Sequence, residues 1–151
     1  MKRTPEGEIL TNLIVETFRL NGELLDAGNR LTKPHNLTSA RWQVMGALSQ
    51  EERPISVAQI ARRMGLMRHG VQRIVNDLEK QGFVTFEENP DHKRAKLVRQ
   101  TKMGENALNL VQQDQSVWVN ALAKGMNKEE ISGAIKILEA VRNRLLKSNA
   151  G

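Results

Sequence analysis

The stretch "LMRHGVQRIVNDLEKQGFVTFEENPDHKRAKLV", residues 66–98, sets two patterns end to end. Val71, Ile74, Val75 and Leu78 recur at three- and four-residue steps, the spacing of one helix face, and Gly82 closes the run after "EKQ". His69, Gln72, Arg73 and Asn76 therefore fall on the opposite face, with no carboxylate among them; Asp77 and Glu79 lie off it. Beyond Gly82, "FVTFEE" and "AKLVRQT" are β-prone runs on either side of "NPDHKR", where Asn-Pro-Asp favours a turn. A helix with a bare polar face thus precedes a basic hairpin.

Before this stretch, Ser56 and Gln59 in "SVAQIARRMG" have the spacing of a capping box, and Gly65 supplies a left-handed stop, which predicts a short helix over 57–64. Two short helices joined at Gly65 make a helix-turn-helix, and the hairpin adds a wing. Toward the N-terminus, Ile9, Leu10, Leu13, Ile14, Phe18, Leu24, Leu25 and Leu31 mark a long amphipathic helix that should stop before Lys33-Pro34. Thr38 should cap a second helix with Trp42, Met45 and Leu48 inward, broken by "SQEERP". Toward the C-terminus, Thr101 should cap a helix carrying Leu108, Val111, Trp118 and Leu122 and ending at Gly125. Asn127, paired with Glu130, opens a last helix striped by Ile131, Ile135, Leu138, Val141 and Leu145.

Composition bounds the function. The 151 residues, 39% hydrophobic and 26% charged, suit one ordinary globular domain with a real core. Without cysteine there are no disulfides, thiolate metal sites or Cys nucleophiles, which is compatible with a reducing cytoplasm. No apolar run approaches a membrane span, and "MKRTPEGEIL" lacks the apolar region of a signal peptide, so a cytoplasmic protein without a membrane partner is expected. The net charge of +6 favours an acidic partner, and its placement is uneven. Between Arg53 and Lys102 eleven basic residues face five acidic ones, so the whole excess sits in the middle third and the flanks are neutral.

Amides of Gln and Asn suit adenine edges and guanidinium suits guanine, so the polar face after Gly65 has the chemistry of a major-groove reader. Its N-terminal residues Arg68, His69, Gln72 and Arg73 would reach deepest, with Asn76 one turn further on. Lys93 and Arg94 at the hairpin turn would reach phosphates or the adjoining minor groove, with Lys96 and Arg99 nearer the backbone. The competing readings are a solvated helix face, and a winged helix that binds protein without an operator. Catalysis needs a cluster, yet His35, His69 and His92 are scattered without ligand spacing, and Gly65, Gly70 and Gly82 form no phosphate loop. No catalytic residue, metal or cofactor is therefore expected. A single-strand platform would use exposed aromatics, but there is no Tyr, and Phe83 and Phe86 most simply pack the wing's root. Trp42 and Trp118 could line a ligand site or pack the core, and Arg41 could meet a ligand carboxylate or stay solvated.

The segments "LTSARWQVMGAL", "PISVAQIARRMG", "VQRIVNDLEKQGFV" and "NPDHKRAKLVRQTKMG", spanning Leu37 to Gly104, resemble the winged-helix core of MarR-family transcriptional regulators. The resemblance implies a mainly α fold: a winged helix-turn-helix core with a two-stranded wing, and N- and C-terminal dimerisation helices. It divides the chain into a dimerisation helix at 1–36, a DNA-binding lobe at 37–104 and dimerisation helices at 105–151. Gln72 and Arg73 match recognition-helix positions and Arg94 matches the wing-tip Arg. The same resemblance implies a homodimer on a pseudo-palindromic duplex operator, a repressor relieved by a small aromatic, phenolic or apolar acid bound between the dimer helices and the lobe. The sequence departs from the family's pattern at Met67, usually a capping Ser or Thr, and at His92, where an Asp usually precedes the tip Arg. It also departs at Gln100, usually apolar, and at Gly70, usually a polar recognition residue.

Overall fold

A computed structural model describes residues 1–150. The chain divides into two compact units, Met1–Gln115 and the segment from Ser116 onward.

The first unit opens with α1, Pro5–Thr32. Thr4 caps it, accepting the Gly7 N–H at 3.1 Å, and Pro5 occupies the first turn, where its missing N–H costs nothing. Pro34 continues the chain as a 3₁₀ turn, Lys33–His35, and Asn36 stops that turn in the left-handed region at φ 57°. The second helix, α2 (Ser39–Ser49), is capped by Thr38 as its sequence predicts. Gly28 is where α1 passes α2: a Cβ there would stand 2.6 Å from Ser39 Oγ, so a larger residue would force Ser39 to shift. Next come β1 (Ile55–Ser56), α3 (Val57–Met64) and α4 (Arg68–Lys80). Both halves of the capping box at Ser56 and Gln59 form, and Gly65 takes φ 65°, so the turn between α3 and α4 is fixed by residues visible in the sequence.

The wing is β2 (Val84–Glu87) and β3 (Leu97–Gln100), antiparallel, with Phe86 opposite Val98. The two-residue β1, which has no readable period, pairs with β3 through Ile55 and Val98, making a three-stranded sheet of order β1-β3-β2. The following helix, α5 (Lys102–Ala123), is locked to the wing's root: Thr101 Oγ1 donates to the Gly82 carbonyl at 2.6 Å and accepts the Gly104 N–H at 3.1 Å. Gly104 passes so close to Phe83 that a Cβ would collide with its carbonyl oxygen.

Val44, Met45, Ile60, Val71, Val75, Leu78, Val84, Val98 and Val111 are all buried in one core shared by α2, α3, α4, the sheet and α5. Burying one such side chain stabilises the fold by about 1.5–3 kcal/mol. Met45 and Leu48 point inward as predicted; Val44 joins them, and Trp42 packs half-buried at the core's edge. Gln100 is an exception to good polar pairing, because its Nε2 is buried with no hydrogen-bond partner among the described residues.

In the second unit Gly125, at φ 82°, ends the α5 segment, and Asn127 caps α6 (Lys128–Asn149) by accepting the Glu130 N–H at 3.0 Å. This helix buries none of its residues, and Ile135, Leu138 and Leu145 of the predicted stripe stand exposed. Among the described residues no helix is long and apolar enough to cross a membrane.

Candidate nucleic-acid interface

Val71, Val75 and Leu78 are fully buried and Ile74 half-buried, which rolls α4 so that Arg68, His69, Gln72, Arg73 and Asn76 face outward. These five line one shallow depression along the helix. Gln72 Nε2 donates to Asn76 Oδ1 at 2.9 Å, so the two amides orient each other while Gln72 Oε1 keeps its lone pairs free. Gly70 is exposed, and a Cβ built there meets nothing within 4 Å; the surface leaves room for close approach. Met67 offers no side-chain cap, so the first backbone N–H groups of α4 lack the usual hydroxyl partner.

The wing turn folds on itself. Asn89 Oδ1 accepts the Asp91 N–H at 3.0 Å, and backbone bonds from His92 to Asn89 and from Ala95 to His92 tighten the tip. Arg94 reaches back toward α4, sharing with Arg68, Gln72, Asn76 and Lys96 a cleft of about 280 Å³ whose other wall holds Ser56, Val57 and Ala58. No carboxylate lines this cleft or the depression beside it. Lys93 is exposed on the turn but lines neither. His92 stands where the family's wing has its Asp, two residues before the tip Arg, and neither Asp91 nor Arg94 forms an ion pair among the described residues.

Three other arginines are held by carboxylates. Arg99 forms an ion pair with Glu87 across the wing strands. The hydrogen bond from Arg99 holds the Glu87 carboxyl below its ordinary range, against the opposing effect of desolvation, and Glu87 in turn raises Arg99. Arg63 pairs with Glu51. Arg41 is held by Asp77 and Gln81, so its guanidinium is neither free nor simply solvated. His35 Nε2 lies 2.7 Å from Asp114 Oδ2, and His69 and His92 are exposed on α4 and the wing. Trp42 lies in the first unit and Trp118 in the second, both half-buried. Ser56–Ala58, to which no sequence pattern assigns a surface role, form a cleft wall where β1, paired with β3 through Ser56, runs into the start of α3.

A helix-turn-helix with a wing, an outward second helix and, among the described residues, no carboxylate in the two clefts along that helix defines a winged-helix DNA-binding protein. A model of the MarR family matches residues 35–95. The uncharacterised protein Rv2011c of Mycobacterium tuberculosis is 34% identical over 118 residues, 78% of this chain and 81% of that protein. The crystal structure of the transcriptional regulator BldR from Sulfolobus solfataricus superposes with a TM-score of 0.74 at 27% identity, covering 93% of this chain and 99% of that one. Staphylococcus aureus MarR, solved with salicylate and kanamycin, superposes at 0.75 with 19% identity over 93% of this chain and 95% of its own. The chain belongs to the MarR family of winged-helix transcriptional regulators.

Proposed function

We propose that this DNA-binding regulator is a homodimer that reads a pseudo-palindromic operator with α4 and holds it with the wing. One observation carries the assignment: Arg68, Gln72, Asn76 and Arg94, from two separate elements, meet at one cleft with no carboxylate on it. In this reading Gln72, Arg73 and Asn76 contact base edges, with Arg68 and His69 at the leading end of the helix and Gly70 admitting the duplex closely. Lys93 and Arg94 engage the phosphates or the adjoining minor groove.

Residues 1–36 and 105–151 supply the dimer contact, with 37–104 as the DNA-binding lobe. Support comes from apolar side chains that stand exposed along α1 and α6, Ile9 and Phe18 above all, which water disfavours on this scale. A two-fold dimer would set two recognition helices on half-sites about 10 bp apart. The experiment is selection from a random duplex pool followed by affinity measurements over a salt series. A two-fold symmetric consensus and a steep salt slope are expected; binding of proteins but of no DNA sequence would favour the interaction-module reading.

The sign of regulation we propose is repression relieved by a small aromatic or apolar acid. The salicylate-bound S. aureus MarR supports that ligand class by similarity of fold. Arg41 is engaged by Asp77, and Trp42 and Trp118, the two tryptophans of the chain, are the side chains whose fluorescence should report an effector. By linkage, an acid that weakens operator binding must itself bind less tightly when operator is present. A panel of such acids that changes neither fluorescence nor operator affinity would remove this part of the proposal.

A further inference from the structure

A line of polar contacts runs from the recognition helix to the joint between α1 and α2. Arg41, in the first turn of α2, donates from Nη2 to Asp77 Oδ2 at 3.2 Å and from Nη1 to Gln81 Oε1 at 3.3 Å. Gln81 caps the C-terminus of α4, and its Nε2 donates to the Asn36 carbonyl at 2.6 Å. Asn36 is the one non-glycine residue with positive φ among the described residues. Beside it, His35 meets Asp114 of α5. Every one of these contacts joins residues more than thirty positions apart in the sequence, so none is a by-product of a single helix face.

The apolar contacts of Val71, Val75 and Leu78 set how deeply α4 sits, but such contacts are non-directional. A planar guanidinium that grips a carboxylate and an amide one helical turn apart is directional, and it resists rolling and sliding of the helix. Asp77 also takes its charge away from the reading face, which keeps that face free of carboxylate. Arg41 lines neither of the two clefts at the reading face.

We propose that Arg41, Asp77 and Gln81 form a clamp that fixes the orientation of α4 relative to the end of α1, and so sets which half-site spacing the dimer accepts. This rests on the dimeric, DNA-reading interpretation above. Arg41 and Gln81 are positioning residues: they touch no base, and they act through the helix that does. Loosening the clamp leaves base preference within each half-site unchanged, because Gln72, Arg73 and Asn76 remain, while tolerance for altered spacing widens.

The test uses the duplex that the full-length protein selects from a random pool, together with versions whose half-sites are one base pair closer or farther apart. Binding is measured for wild type, Arg41→Ala, Asp77→Ala, both together, Arg41→Lys, and the charge exchange of Arg41→Asp with Asp77→Arg. Wild type should discriminate sharply against both altered spacings. Arg41→Ala and Asp77→Ala should each compress that discrimination by about threefold to tenfold, with the double variant no worse than either single. Arg41→Lys, which keeps the charge but loses the second grip, should fall between, and the charge exchange should recover part of the loss. Thermal unfolding identifies any variant that fails to fold, and Arg41→Lys carries the test if the alanine variants do fail. Folded variants with the wild-type spacing profile would overturn the clamp, as would a change in base preference at constant spacing. If wild type selects no sequence at all, the DNA-reading interpretation itself falls and the clamp falls with it.

Discussion

The winged-helix lobe and the helices α1 and α6 share one kind of sequence pattern and have opposite fates. In the lobe, apolar residues at helical spacing close onto one another: Val71, Val75 and Leu78 leave no accessible surface. On α6 the same spacing produces a stripe with no buried residue, and α1 buries only Gly28 and Thr32. Periodicity therefore says that a helix has an apolar face, not what covers it. In the lobe the cover is the rest of the chain; for the terminal helices we propose that it is a second copy.

Substitutions should separate the two regions, the largest effect coming from the lobe. Leu78→Ala removes a fully buried side chain and should lower unfolding stability by about 2–5 kcal/mol in urea, irrespective of protein concentration. Leu138→Ser on α6 should instead raise the dimer dissociation constant in sedimentation experiments, and its stability loss should depend on protein concentration. An equal loss at every concentration would mean that α6 already has its partner within the chain.

Next in size is Gln72→Ala, which should cost about 1–3 kcal/mol at the selected site and relax preference at one base pair per half-site with little change in salt slope. Because Gln72 and Asn76 are hydrogen-bonded to each other, Asn76→Ala should not add to it fully. Gln100→Met should work in the other direction. Removing a buried amide nitrogen that has no partner, at similar volume, should raise unfolding stability by about 1 kcal/mol.

The smallest effects belong to the wing's charges. Arg94→Ala should flatten the salt dependence by about one counterion per half-site. Arg99→Ala should leave the slope nearly unchanged, since Glu87 already neutralises that guanidinium. The same pair has a pH signature. With the Glu87 carboxyl held below its ordinary range by the Arg99 hydrogen bond, its contribution is complete above that range and is lost only as pH falls through the lowered value. Wing protection in hydrogen exchange should therefore be flat near neutrality and decline in acid, and Glu87→Gln should abolish the decline.

Most of the helical framework is legible because its signals are local. Thr38, Ser56 with Gln59, Gly65, Thr101 and Asn127 each act within four residues, and each does in the structure what its position predicts. The outward face of α4 is the complement of its inward one. Two features are not legible. The strand β1 is two residues long and exists only because Val98 and Leu97 lie opposite it. The grip of Arg41 on Asp77 joins two helices, and no spacing rule reaches that far. Arg41 therefore reads as a choice between ligand and solvent, while its partner is another helix of the same lobe.

Whether α4 reads and the wing holds is decided by the binding of wild type, Gln72→Ala and Arg94→Ala to the selected operator and to random duplex, across a salt series. The expected result is that Gln72→Ala loses affinity for operator alone at constant slope, whereas Arg94→Ala weakens both duplexes and reduces the slope by about one per half-site. Equal losses on operator and random DNA for Gln72→Ala, or an unchanged slope for Arg94→Ala, would contradict it.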